Sequence, residues 1–377
     1  MDLIQVAGCF AVDGAVSSVE PLGNGNINAT YLVRTSGGRR YVMQRLNTAV
    51  FTQPELVMAN LEQLSRHCSA RLACTSQQGD ARPPWQLPTP VPLRESAAHA
   101  TLLRQDDGGA WRLLTFVEGA HSLERLEHPD QAREVGRALG RFHALIHDLP
   151  PERLADTLEG FHITPGYYDQ YQQLLAGGDA AVAKRLNDPQ AQWCCRFIAE
   201  RQTLVPVLEQ ARHQGRLQVR PIHGDPKVNN VMLCSSTGCC VAMVDLDTVK
   251  PGLVHYDIGD ALRSGCNPAG EECTDLEAVR FDLDLARAML GGYLQEAHHW
   301  LTAADLDHLY DATLLLPFEL GLRFFTDHLA GNVYFQVSHQ GHNLARALVQ
   351  FRLAQSIEVQ EHQIRTLIAE LLDGLKR

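Results

Sequence analysis

The chain has 377 residues, 45% of them hydrophobic and 20% charged, which is enough for a large core and two lobes or domains. Its formal net charge of −11 argues against nucleic acid or an anionic membrane as partner, because both would repel it at long range. No run reaches the ~18 consecutive apolar residues that span a bilayer. The first residues carry no basic cluster, and Asp2 and Asp13 interrupt their apolar part, so they do not read as a signal peptide.

The ten cysteines form no C-x-x-C pair, which leaves no zinc ribbon. In a long chain without a secretory signal they read as reduced, mostly buried thiols of a cytoplasmic protein.

The first elements are strands. Tyr31-Leu32-Val33, a turn at Ser36-Gly37-Gly38 and Tyr41-Val42-Met43 give a hairpin. "PLGNGNIN" at 21–28 precedes it, and Gly23 and Gly25 permit a tight turn and a close backbone approach to a phosphate. "QPELVMANLEQLSRHC" has near-helical apolar spacing, with Pro54 at its start. "TSQQGDARPPWQLPTPVP" reads as a surface loop. "HATLLRQ", the turn "DDGG" and "AWRLLTFVEG" give a second hairpin.

Beyond Gly119 the pattern is helical. Ala132, Val135, Leu139, Phe142 and Ile146 share one face. Weaker helical stretches cover 166–186 and 189–213. Stronger ones follow in "DLEAVRFDLDLARAMLGGYLQEA" and "ADLDHLYDATLLLPFELGLRFFTDHL", with a last helix from about 341 to 374. The expected fold is α+β: a small antiparallel-sheet N-lobe over 1–117, a linker near 115–119, and a large, mostly helical C-lobe over 118–377.

Between the weak and strong helices lies "RPIHGDPKVNNVML", residues 220–233. Its apolar flanks pin a polar loop to a strand. "VMLCSSTGCCVAMV" then reads as a hairpin with its turn at Ser235–Gly238, returning the chain to "VDLD" beside its start. Asp225, Asn230 and Asp245 thereby converge. Hard oxygen ligands of this kind suit Mg²⁺, which takes one or two carboxylates plus substrate phosphates and water. A further aspartate can orient a hydroxyl nucleophile, which completes a phosphoryl-transfer arrangement.

His223-x-Asp225-x-Lys227-x-x-Asn230 resembles the catalytic loop of the protein-kinase-like superfamily, and Gly224 makes it more similar to the aminoglycoside phosphotransferase and choline kinase branch. The resemblance implies Asp225 as the base, Asn230 and Asp245 as Mg²⁺ ligands, Lys227 at the transferring phosphate and His223 as a structural brace. It implies a phosphate-covering loop at Gly23 and Gly25, with Asn28 or Thr30 at phosphate or substrate. It also places adenine against the main chain of Thr115, Phe116 and Val117. A basic residue is expected on the strand "RYVMQRLN", where the register offers Gln44, with Arg45 beside it as the backup. Either Glu55 or Glu62 would be its helical partner. In "HYDIGDALR", Asp257 and Asp260 read as braces of the loop.

"GNGNINATYLV", "MVDLDTVKPGLVHYDIGDALR" and "LRFFTDHLAGNVYFQV" further resemble the N-acetylhexosamine 1-kinases. That implies ATP as donor, the anomeric hydroxyl of GlcNAc or GalNAc as acceptor, and Arg323 and Tyr334 with Asp225 as sugar contacts. The alternatives are a same-fold kinase for an aminoglycoside, choline or another amino alcohol, homoserine or N-acetylmuramate, or a non-catalytic nucleotide-binding pseudokinase, which Gln44 favours.

Overall fold

The computed structural model describes residues 2–23, 27–75, 82–95, 100–106 and 108–376. Its small lobe is a five-stranded antiparallel sheet in the order β1-β2-β3-β5-β4. These strands are β1 (Val16–Pro21), β2 (Ala29–Thr35), β3 (Arg40–Leu46), β4 (Leu102–Arg104) and β5 (Ala110–Thr115), preceded by the helix α1 (Leu3–Gly8). Both expected hairpins are present; α1 and β1 are additions. Val6, Phe10, Val33, Tyr41, Met43 and Leu113 form the small lobe's own core, under one face of the sheet.

Between β3 and β4 runs α2 (Pro54–Thr75), with proline in the first turn, where its missing N–H costs nothing. Its apolar residues Val57, Met58, Leu61 and Leu64 join the core of the large lobe rather than that of the sheet. Leu61 and Leu64 are fully buried there, each contributing about 2 kcal/mol. The helix is therefore sealed to the second lobe although the chain places it in the first.

After β5 the chain enters the large lobe, where β6 (Ala120–Ser122) pairs with β8 (Val231–Cys234), which pairs with β9 (Cys240–Met243). A two-stranded ribbon joins β7 (Arg220–Ile222) to β10 (Lys250–Gly252). Helices make up the rest. α3 (Pro129–Ile146) packs on α9 (Leu283–Ala297), and glycines set how closely. A Cβ on Gly136 would sit 1.8 Å from the carbonyl oxygen of Met289.

Several long helical readings resolve into pairs. The 166–186 stretch becomes α4 (Thr164–Ala176) and α5 (Ala180–Arg185), separated at Gly178 with φ 67°. The 189–213 stretch becomes α6 (Pro189–Ala199) and α7 (Val207–His213), with Pro206 at the break. α8 (Val254–Gly265) follows β10. The α9 helix starts later than its apolar pattern suggested, because the Asp282 carboxylate accepts from the N–H groups of Asp284 and Leu285 and caps it there. α10 (Ala303–Asp307) and α11 (Leu309–Ala330) divide at His308. The last helix is two, α12 (His342–Val359) and α13 (Glu361–Leu375). All ten cysteines are free thiols. Among the described residues no helix is long and apolar enough to cross a membrane.

Candidate active site

The polar loop sits where β7 ends, between the lobes. Its shape begins at Gly224, whose φ of 86° favours glycine and whose absent Cβ would lie 2.5 Å from the Thr248 carbonyl oxygen. Asp257, near the start of α8, holds the turn by accepting from the N–H of His223 at 2.6 Å and of Gly224 at 2.8 Å. His143 of α3 meets the same carboxylate at 2.8 Å. The Asp257 side chain is thus a loop brace, as expected. Asp260 plays another part, in a buried ion pair with Arg263 at 2.7 Å.

His223 is a brace as well. Its Nε2 donates to the Val244 carbonyl at 3.0 Å, and its Nδ1 accepts from the Asp225 N–H at 3.3 Å. Burial lowers its pKa, in keeping with the neutral tautomer this pattern requires.

The chemistry-bearing side chains gather beyond that brace. Lys227 Nζ lies 3.0 Å from Asp225 Oδ2, and the charge of Asp225, opposed by burial, raises the lysine pKa and keeps it cationic. Asn230 donates from Nδ2 to the Asp225 carbonyl at 2.8 Å, and its own carbonyl accepts from the Val244 N–H at 2.9 Å. That second bond ties the loop to the strand end bearing Asp245. Asp245 has left-handed backbone, φ 61° and ψ 54°, a strained setting for a non-glycine residue. The residue is solvent-exposed, while the protein around it desolvates the carboxyl. Burial, Asp247 and Asp225 raise its pKa to about 7.

An acid so disfavoured as an anion suits a divalent cation. The donors Asp245 and Asn230 are hard oxygens, and no cage of three or more His, Cys, Asp or Glu residues occurs among the described residues. Hard oxygens of this kind suit a divalent cation that takes phosphate oxygens and water as its other ligands.

The N-lobe side differs more from expectation. Gln44 is in unbroken register with Arg112 of β5 across the β3–β5 pair, and Arg45 with Trp111. With no bulge to turn it, Arg45 stays on the face opposite Gln44, its guanidinium 5.9 Å from the Trp111 ring. Neither helical acid reaches β3. Glu55 pairs with Arg104, and Glu62 accepts from the Thr101 hydroxyl at 2.6 Å. Asn28 is buried and donates to Asp247 Oδ2 at 2.7 Å. Gly23 has φ 66°, while Gly25 lies outside the described residues.

At the linker, the Thr115 N–H goes to the Thr89 carbonyl at 3.0 Å, so Phe116 and Val117 remain as main-chain candidates for adenine. Arg40 lies over the Phe116 ring at 4.3 Å, and Val117 packs with Val241 and Ala242.

Arg323 of α11 sits among four aromatic rings: Tyr167 at 4.8 Å, Phe161 at 5.2 Å, Phe335 at 5.4 Å and Tyr334 at 6.0 Å. Tyr334 is 64% exposed. Its loop folds round Asp327, which accepts from the N–H groups of Val333, Tyr334 and Phe335.

One turn before Arg323, Glu319 accepts from the Thr164 hydroxyl at 2.6 Å and meets His162 Nδ1 at 2.9 Å. The His162 backbone is left-handed, φ 65°. Its Nε2 donates to the Gly224 carbonyl at 2.9 Å. Burial works against the imidazolium, but Glu319 and Asp260 outweigh it and raise the pKa. His162 and Glu319 thus connect the surroundings of Arg323 to the loop at Gly224. No local pattern marks either residue.

A small antiparallel-sheet lobe and a larger helical lobe, with Asp225, Lys227 and Asp245 gathered on one loop and the strand end beside it, make a kinase-like fold. The sequence profile of the phosphotransferase enzyme family (APH) matches residues 18–296, and the chain belongs to that family. Three solved structures share the fold. An aminoglycoside phosphotransferase from Alicyclobacillus acidocaldarius is 17% identical with a TM-score of 0.58, covering 100% of this chain and 97% of its own. A microcompartment-associated aminopropanol kinase is 18% identical with a TM-score of 0.58, covering 93% and 95%. An amicoumacin kinase solved with AMP-PNP, Ca²⁺ and Ami is 16% identical with a TM-score of 0.57, covering 95% and 92%.

Proposed function

We propose that the protein is a Mg-ATP-dependent cytoplasmic kinase that phosphorylates the anomeric hydroxyl of an N-acetylhexosamine. The observation that carries the acceptor class is Arg323, whose cation already occupies the aromatic faces a quaternary ammonium would need. The nearby acids Glu319 and Asp260 are engaged by His162, Thr164 and Arg263, which leaves these surroundings poorly suited to a polycationic aminoglycoside. A neutral amido sugar fits a guanidinium donor beside an exposed tyrosine.

In this reading the γ-phosphoryl group leaves the terminal bridging oxygen of ATP for the acceptor oxygen, and ADP departs. Asp225 takes the hydroxyl proton, and Lys227 meets the phosphoryl group in transit. Asp245 and Asn230 hold Mg²⁺, which when bound neutralises charge on the phosphates. The Arg323 guanidinium and the Tyr334 ring orient the sugar. The amicoumacin kinase, solved with a nucleotide analogue and a divalent cation, is consistent with this donor.

The test is ADP release from Mg-ATP with GlcNAc, GalNAc, choline, homoserine and kanamycin, with Asp225→Asn beside the wild type. Release with an N-acetylhexosamine alone, reduced about 10³-fold in the variant, is expected. Release with another acceptor would remove the sugar but keep the chemistry. Nucleotide binding without release would favour the pseudokinase.

A further inference from the structure

The nucleotide-facing strand β3 presents a glutamine where the resemblance called for a cation. Behind that glutamine lies a charge. Arg112 of β5 is 1% exposed, inside an otherwise apolar strand. Its Nε and Nη2 donate to Gln44 Oε1 at 3.0 and 2.6 Å. Nη2 also forms an ion pair with Asp247 Oδ1, a charge contact without hydrogen-bond geometry that leaves this oxygen buried with no hydrogen-bond partner among the described residues. Its Nη1 is buried without a hydrogen-bond partner among the described residues.

A guanidinium has only donors, so it fixes the glutamine amide with its carbonyl inward. The Nε2 group then donates one N–H to the Thr30 hydroxyl at 3.2 Å, and Gln44 itself is half-buried. Asp247 is 2% exposed and belongs to the loop that carries Asp245. Its other oxygen takes the amide of Asn28, from the end of the phosphate-covering loop. A buried ion pair is a weak source of stability, because desolvation offsets most of the attraction. What this one achieves is geometry. One guanidinium sets both the amide on β3 and the carboxylate beside the metal acid.

We propose that Arg112 is a positioning residue for nucleotide phosphates: it turns the Gln44 amide so that the N–H not donated to Thr30 meets them, and locks the loop carrying Asp245 to the same sheet through Asp247. This rests on the ATP reading above. Arg112 and Asp247 replace, with the cation on β5 and the acid on the Asp245 loop, the strand cation and helical acid that this chain lacks at Gln44, Glu55 and Glu62.

Gln44→Glu separates fold from function. A glutamate keeps the partner of Arg112, as an ion pair, but offers the phosphates no donor and an added negative charge. Calorimetric dissociation constants for Mg-ATP and adenosine, with the melting temperature of the free protein, give the readout. The expected result is a melting temperature at or above the wild type, Mg-ATP binding weakened at least about tenfold, as loss of a charge-assisted hydrogen bond implies, and adenosine binding within about twofold. Arg112→Lys has no fork to hold both partners, and the same phosphate-dependent loss is expected of it. Wild-type Mg-ATP affinity in Gln44→Glu, or equal loss for Mg-ATP and adenosine, would overturn the proposal. A wild type that binds no nucleotide would overturn the ATP reading and this one with it.

Discussion

Asp225 and Asp245 lie close together in the cleft but differ in charge environment. Asp225 has the Lys227 ammonium at 3.0 Å. Asp245 faces burial and two other carboxylates, and its pKa rises to about 7. A carboxyl whose folded value lies above its unfolded 3.8 favours the fold while protonated. The metal-free protein therefore loses stability from this group as pH rises through the interval between the two values. Mg²⁺ competes with that proton, so its effect runs the other way. We expect Mg²⁺ to raise the melting temperature more at about pH 8 than at about pH 6, and the difference to vanish in Asp245→Asn. Equal Mg²⁺ shifts at both pH values would remove Asp245 as the metal acid. The meeting of the strings that hold His223, Asp225, Lys227, Asn230 and Asp245 was legible in the sequence, because they are short and joined by the β8–β9 hairpin. Asn28 and Asp247 were not legible as a pair, because 219 residues separate them and nothing local signals the contact. Arg112 left one faint sign, a charge inside the apolar run "AWRLLT".

At the scale of elements, the active loop is shaped by α8 more than by its own strand. Asp257 satisfies two loop N–H groups and His143 at once. Replacing it with alanine leaves three buried donors without an acceptor, at a cost of about 3 kcal/mol or more. Asp257→Ala should therefore lower both the denaturation midpoint and kcat, with nucleotide affinity changing less. An unchanged kcat would mean that the loop holds its shape without α8. The element pattern itself read well where periodicity was strong: the hairpins and α3 stand as expected. It ran long where a cap or a break overrode periodicity, at Asp282 for α9 and at Gln360 between α12 and α13. Side-chain capping is a local competition that an apolar stripe does not register. Positive φ at Gly178 made a similar break in the 166–186 stretch.

For the whole molecule, the two lobes meet through specific ties rather than a bare hinge. Asn28 and Arg112 reach Asp247 from the sheet. On α2, Asn60 donates to the carbonyls of Ala155 at 2.9 Å and Val249 at 3.0 Å, and accepts from the Ala155 N–H at 2.8 Å. With its apolar face in the large core, α2 cannot swing freely. Asn60→Ala should cost about 2–4 kcal/mol for three bonds in a buried setting and raise the KM for nucleotide, because Val249 follows the loop that carries Asp245. A variant with wild-type stability and KM would show that α2 is held by its apolar face alone. The central claim, transfer of the ATP γ-phosphoryl group to an anomeric oxygen whose proton Asp225 takes, is tested most directly by one comparison: phosphate transfer from Mg-ATP to GlcNAc or GalNAc against transfer to the methyl glycoside of the same sugar. Only the free sugar carries the anomeric hydroxyl. Turnover with the free sugar and none with its glycoside is the predicted result; comparable turnover with both would place the phosphate on another hydroxyl and contradict the account.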